Sequence, residues 1–281
     1  MSTLQNKIDF ALVLRVKNAN PNGDPLNGNR PRVDYGGFGE ITDVCIKRKL
    51  RDRLQETGEC IFVQSEDRKI DGETSLRNRA ESDINGLGKA IWKEKGKKDD
   101  AAKKACAKWF DVRAFGQVFA FGKEADASGV SIPIRGPVTV QSAFSKEPVS
   151  ITSTQITKSV SGEGDGSKRG SDTMGMKHRV DGISIYECYG SINPQLSERT
   201  GFSNADAEII KSVLPNLFEN DASSARPDGS MEVVKVIWWK HNCKSGQHSS
   251  AKVHRSLTVN ADGSVTLEDL EGLTPEVIEG F

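Results

Sequence analysis

Within Lys47–Arg53 the chain places Lys47, Arg48, Lys49, Arg51 and Arg53, with Asp52 the only acid among them. On a helix, like charges at i and i+4 cost roughly 0.2–0.5 kcal/mol per pair. A bound polyanion relieves that repulsion, so the chemistry this segment offers is phosphate binding. The competing reading is a solvated helix face. The residues just upstream point the same way. Asn27-Gly28-Asn29-Arg30-Pro31-Arg32 can expose backbone amides as an anion nest, and Arg30 and Arg32 can each fork onto a pair of phosphate oxygens. A plain exposed turn fits the same residues. No Gly-Lys-Ser or Gly-Lys-Thr follows, which argues against a nucleoside-triphosphate loop.

Other reactive types are thinly spread. Asp24 and Asp34 share the early loop and could hold Mg²⁺ or serve as a nuclease base, although acids in loops are more often turn formers. His241, Cys243, His248 and His254 have no spacing of a zinc motif and read as scattered surface and strand-end residues. No Ser-His-Asp arrangement can be proposed. Neither a catalytic group, a metal nor a cofactor is expected. His178, between Lys177 and Arg179, reads as a backbone or base contact. Around it lie Lys158, Lys168, Arg169, Met174 and Met176. Such basic residues can track phosphates while a methionine wedges against a base; a flexible surface loop is the alternative.

The elements that would position these groups follow from pattern. Ile8–Val16 (IDFALVLRV) reads as a central strand. The loop from Lys17 to Glu40 is long enough to suggest function. Thr42 or Asp43 can cap the next helix and Gly58 can end it, with Ile46, Leu50 and Leu54 as its buried stripe. Residues 60–105, rich in charge, read as an inserted, partly mobile subdomain with a short helix through Ile84, Leu87, Ile91 and Trp92. Ala101–Phe121 reads as a helix or helix pair. Val130–Phe144 reads as strand and turn, kept to an edge or bulge by Pro133 and Pro137. Ser145–Asp181 is either a linker or a long hairpin-like arm. A helix over Ser203–Phe218, a strand over Val233–Lys240, and a hairpin of Val253–Val259 with Ser264–Leu267 complete the chain. The class expected is α+β.

Composition bounds the rest. The 281 residues carry 39 basic and 39 acidic side chains. Six acids and no Lys or Arg fall in Asp262–Phe281, so the remainder holds a net +6. Local fields decide, because screening limits reach to about 8–10 Å. The absence of a long apolar run or leader-like segment, and five unpaired-looking cysteines, lead to the expectation of a cytoplasmic protein with no membrane partner.

NPNGDPLNGNRPRVDYGGFGEITDVCIKRKLRDRL, the later WFDVRAFGQVFA and IRGPVTVQSAFSKEPV together resemble the backbone subunit of a CRISPR Cascade surveillance complex. The likeness is to subtype I-C, within the repeat-associated mysterious protein superfamily. It runs from Asp9 to about Trp239. It implies a modified RNA-recognition-motif, ferredoxin-like palm at about 1–58, 111–148 and 180–260. A helical fingers insertion would occupy about 59–110, a thumb arm about 149–179, and an acidic tail about 261–281. It further implies copies stacked as a filament on guide RNA with other Cascade subunits, leaving bases free to pair with target DNA. Guide contacts implied are Arg32, Thr42, Lys47, Arg48 and Arg51, with Lys158, Met174, Met176 and His178 from the thumb. The Lys/Arg-Gly-Phe-Gly-Phe-Val signature is missing, so base stacking on the sheet is not implied. Type III relatives that cut RNA with an early-loop aspartate supply the rival reading, a metal-dependent ribonuclease using Asp34 or Asp24.

Overall fold

The computed structural model describes residues 2–92, 98–120, 131–157 and 173–281, residues 173 and 174 by backbone alone. In chain order, β1 (Ile8–Lys17) leads to a small hairpin, β2 (Gly23–Asp24) and β3 (Arg30–Pro31), then to β4 (Phe38–Ile41) and α1 (Asp43–Glu56). Next come α2 (Leu76–Glu81), α3 (Lys98–Lys108), α4 (Phe110–Phe115), β5 (Gly116–Ala120) and β6 (Ser131–Arg135). β7 (Val138–Val140), β8 (Ala143–Pro148), β9 (Ile151–Thr157), β10 (Thr173–Val180) and β11 (Ile183–Ile192) follow. The last elements are α5 (Pro194–Thr200), α6 (Asn204–Val213), β12 (Met231–Lys240), α7 (Ser250–Arg255), β13 (Leu257–Val259), β14 (Val265–Leu267) and β15 (Glu276–Glu279).

The class is mixed α+β, built on one large antiparallel sheet ordered β15-β12-β1-β11-β8-β4, with β7 also paired to β11. β1 lies inside this sheet because both its faces are apolar. Phe10, Leu12, Leu14 and Val16 enter the larger core together with Ile46, Leu50 and Leu54 of α1. Ala11 and Val13 enter a second core with Ile237, Trp239, Val253, Leu257 and Val259. α1 begins where the Thr42 hydroxyl accepts the Cys45 amide at 3.3 Å, and it ends before Gly58, whose φ is 94°.

The insertion differs from its expected form. It has its own core, in which Phe62, Trp92, Trp109 and Phe119 meet Ala101, Ala105 and Cys106. A few large rings supply most of that core, so sparse aliphatic periodicity conceals it. The helix expected through Ile84 is absent; Ile84 is 88% exposed, and only Ala90–Trp92 forms a 3-10 turn. Ala101–Phe121 divides into parts of α3, α4 and a strand, with the break at Trp109.

Three C-terminal elements also depart from pattern. α6 stops at Val213, two residues before Pro215. Val253–Arg255 is helical, capped by Ser249, so only Leu257–Val259 pairs with Val265–Leu267 around Gly263. The acidic segment closes the sheet as β15, and Glu276 and Glu279 pair with Lys211 and Lys235. Among the described residues no helix is long and apolar enough to cross a membrane.

Candidate nucleic-acid interface

The β2–β3 hairpin turns through Gly28 and Asn29, both left-handed at φ 60° and 61°. Gly adopts this region freely and Asn tolerates it. The turn reverses the chain so that Asp24 lies opposite Arg30. Asn20 Nδ2 donates to the Asn29 carbonyl at 2.7 Å, and the Arg32 amide donates to the Asn22 carbonyl at 3.0 Å. These two bonds anchor the hairpin to the loop before it. Leu26 at its tip is 97% exposed. Arg30 is exposed and has no acidic partner among the described residues. Arg32 is half-buried, and the Asp24 carboxylate is 3.4 Å away.

β9 and β10 pair as a separate two-stranded arm, from Thr157 opposite Thr173 to Ile151 opposite Val180. This is the hairpin alternative rather than the linker, with its return strand made by TMGMKHRV. Met176 is 53% exposed. His178 is buried, with Nδ1 2.8 Å from the Ser153 hydroxyl. β10 lies against β3, which brings the arm beside the cationic hairpin. Lys158, Lys168 and Arg169 lie outside the described residues, as does the Met174 side chain.

On α1 the expectation of a solvent-facing, unopposed cation row is corrected. Every cation of the run has an acid. Lys47 Nζ is 2.9 Å from Asp43 Oδ2, Arg48 Nη2 is 2.8 Å from Asp52 Oδ1, and Arg51 Nε is 3.0 Å from Asp111 Oδ2. Lys49 pairs with Asp221 and Arg53 with Glu56. Arg48 also donates to the Val63 carbonyl at 2.6 Å, and burial lowers its pKa against the opposing pull of Asp52. Two of these acids stand 60 and 172 positions away in the chain, so local counting misses them. Thr42 is likewise engaged: its hydroxyl donates to Asn22 Oδ1 at 2.8 Å, tying the helix cap to the hairpin loop. Asn22, which pattern did not single out, is the joint between the two.

Asp34 Oδ1 accepts the amides of Gly36 and Phe38 at 2.8 and 2.9 Å, and Asp24 accepts the Leu26 amide at 3.2 Å. Both acids form turns. Among the described residues no three His, Cys, Asp or Glu side chains are arranged to hold a metal. His241 Nε2 is 2.9 Å from Asp9 Oδ2, and its Nδ1 accepts the Gln247 amide at 2.9 Å. His254 Nε2 stands 3.6 Å from Asp9 Oδ1. Burial pushes Cys106 up to about 11 and Cys188 up to about 12, so neither offers a thiolate at neutral pH.

An antiparallel sheet with a cation-bearing hairpin braced on a two-stranded arm defines a scaffold suited to a polyanion. The sequence model of "CRISPR-associated protein Cas7" matches residues 6–274, and the chain belongs to that family. A Cas7 protein of Haloferax volcanii is 28% identical over 291 aligned positions, spanning 99% of this chain and 82% of the relative. Among solved structures, a chain of a CRISPR RNA-guided surveillance complex in a pre-nicking state is similar at TM-score 0.49 and 18% identity. That similarity covers 83% of this chain and 75% of the other. A chain of a type III-B Cmr-beta complex bound to cognate target RNA gives TM-score 0.43 at 10% identity, over 82% and 60%.

Proposed function

We propose that this chain is a non-catalytic backbone subunit that grips guide RNA by its sugar–phosphate track. Several copies line the guide as a filament in a particle of the subtype I-C Cascade kind, beside other subunits. Target DNA is met through pairing with the guide. In this reading the large sheet is a modified RNA-recognition-motif palm, the aromatic-cored insertion is the fingers, and the β9–β10 arm is the thumb.

The observation that carries the reading is the contact of β3 with β10. It brings the strand that carries Arg30 beside the strand that carries Met176, Lys177 and His178, segments that lie far apart in sequence. A subunit that coats guides of many sequences has to avoid reading bases, and phosphate contacts position without specifying. Among the described residues Arg30 and Arg32 are the guide cations with least internal neutralisation, while Lys47, Arg48 and Arg51, each paired with an acid, are proposed as further guide contacts. Thr42 acts through Asn22 by holding the hairpin. Lys158, Lys168, Arg169 and Met174 are proposed as further guide contacts.

Ultraviolet crosslinking of the RNA-loaded particle, followed by peptide mapping, tests this. Crosslinks are expected in the Asn22–Val33 and Thr173–Val180 peptides. Crosslinks confined to other peptides would move the RNA off this surface. The ribonuclease alternative has no observation in its favour, because Asp24 and Asp34 already serve their own turns.

A further inference from the structure

Asn20 is 3% exposed, too deep to touch a nucleotide, yet its side chain reaches the cationic hairpin. Its Nδ2 donates to the Asn29 carbonyl at 2.7 Å. That carbonyl belongs to the peptide unit joining Asn29 to Arg30, and a peptide unit is planar. Gripping the carbonyl therefore fixes the Arg30 Cα as well. Asn29 is left-handed at φ 61°, a backbone state that residues other than glycine rarely adopt, so the turn gains from being held. Among the described residues this is the one side-chain hydrogen bond that reaches residues 25–31 from outside the hairpin. The main chain around Asn20 is itself pinned. Its amide donates to the Ala225 carbonyl at 2.9 Å. One residue back, the Ala19 carbonyl accepts the Val180 amide at 2.9 Å, where the return strand of the arm ends. Asn18 Oδ1 accepts the Gly182 amide at 2.9 Å, and the Asn18 amide donates to the Gly182 carbonyl at 2.9 Å. Neighbouring residues thus hold the end of the arm through the backbone and the hairpin turn through a side chain.

We propose that Asn20 is a positioning residue for guide RNA. It sets the direction in which the hairpin presents Arg30, with the foot of the arm as the fixed reference. The inference rests on the proposed guide track and adds to it a residue that makes no contact with the RNA. Phosphate contacts fix register only when the cations that make them are themselves held. An arginine on a loose turn would lose binding energy to the ordering of that turn. Asn20 removes part of that cost before RNA arrives.

The test is a double-mutant cycle on the full chain. Asn20→Ala keeps the main-chain bonds and removes the side-chain donor, and Asn20→Leu removes the donor while keeping most of the volume. Thermal melts show whether each variant folds. Affinity for a synthetic single-stranded RNA is measured for both variants in two backgrounds, the wild type and Arg30→Ala combined with Arg32→Ala. In the wild-type background each is expected to bind about three- to tenfold more weakly, the range that one hydrogen bond supplies. In the background without the two arginines neither should weaken binding further, because residues that act through one another do not add. Equal losses in both backgrounds would overturn the proposal and leave Asn20 a purely structural residue. Wild-type affinity in the folded Asn20 variants would also overturn it. So would failure of both variants to fold, because Asn20 would then hold the fold and not the hairpin. Wild-type affinity in the Arg30 and Arg32 variant itself would instead reject the proposed guide track.

Discussion

Arg51 Nε and Asp111 Oδ2 stand 3.0 Å apart, the carboxylate fully buried, and the pair ties the first helix to α4. The same carboxylate accepts the amides of Phe62 and Val63 at 2.7 and 3.0 Å. The guanidinium also lies over the Phe115 ring, 5.1 Å from its centroid. Arg51 thus holds the fold together. Removing one member of a buried pair leaves the other uncompensated, which costs about 3–5 kcal/mol. Asp111→Ala is expected to lose that much in urea denaturation. Lys47→Ala, whose partner Asp43 is partly solvated, is expected to change stability by less than about 1 kcal/mol.

RNA affinity should respond differently at the hairpin. Arg30→Ala combined with Arg32→Ala is expected to weaken binding equally for guides of unrelated sequence, with little change in Tm. The slope of log affinity against log salt should become shallower by about 0.7 for each single-strand phosphate that is no longer neutralised. Lys47→Ala, Arg48→Ala and Arg51→Ala together should lower both affinity and Tm, because these cations are also internal partners. An unchanged salt slope in the Arg30 and Arg32 variant would remove them from the track.

The contrast between hairpin and helix marks how far residue order alone could be read. The central strand, the Thr42 cap and the Ile46–Leu50–Leu54 stripe were legible because each depends on neighbours within a few positions, whereas residue order left the arm open between a linker and a hairpin. The true setting of the helix cations was not, since Asp111 and Asp221 reach them only after the chain has folded back. The aromatic core of the insertion was hidden for a related reason: Phe62 and Trp109 meet at 4.7 Å between ring centroids, from segments with no shared periodicity.

The buried Asp9 cluster predicts a pH dependence. Burial would raise the Asp9 pKa, but hydrogen bonds from His241 and Ser250 and the charge of Lys7 bring it below the ordinary 3.8. Burial lowers the His254 pKa below its ordinary 6.5, with Asp9 opposing the shift. A histidine lowered in the folded state binds its proton more readily once unfolded. Its contribution is therefore fully present above about pH 6.5 and declines as pH falls toward the folded-state value. Asp9 adds stability above about pH 3.8 that is lost only below it. Urea midpoints measured from pH 8 to 5 should fall at the acid end, and His254→Gln should flatten that decline. A midpoint independent of pH in the wild type would contradict the assignment.

Asp34 separates a turn former from a nuclease base. With complementary RNA and Mg²⁺, the wild-type particle is expected to give no periodic cleavage, and Asp34→Asn no change in products. Asp34→Ala should instead loosen the loop, costing about 1 kcal/mol because it removes the acceptor of two backbone amides. Regular fragments from the wild type that vanish in Asp34→Asn would favour the ribonuclease.

The mass of the native particle before and after ribonuclease treatment tests the central claim most directly. If many copies are held along one RNA by its backbone, the untreated particle should weigh several protomers plus a short transcript, and digestion should release smaller species. A lone protomer free of RNA, isolated while its operon is expressed, or an assembly whose mass ignores the nuclease, would contradict the account.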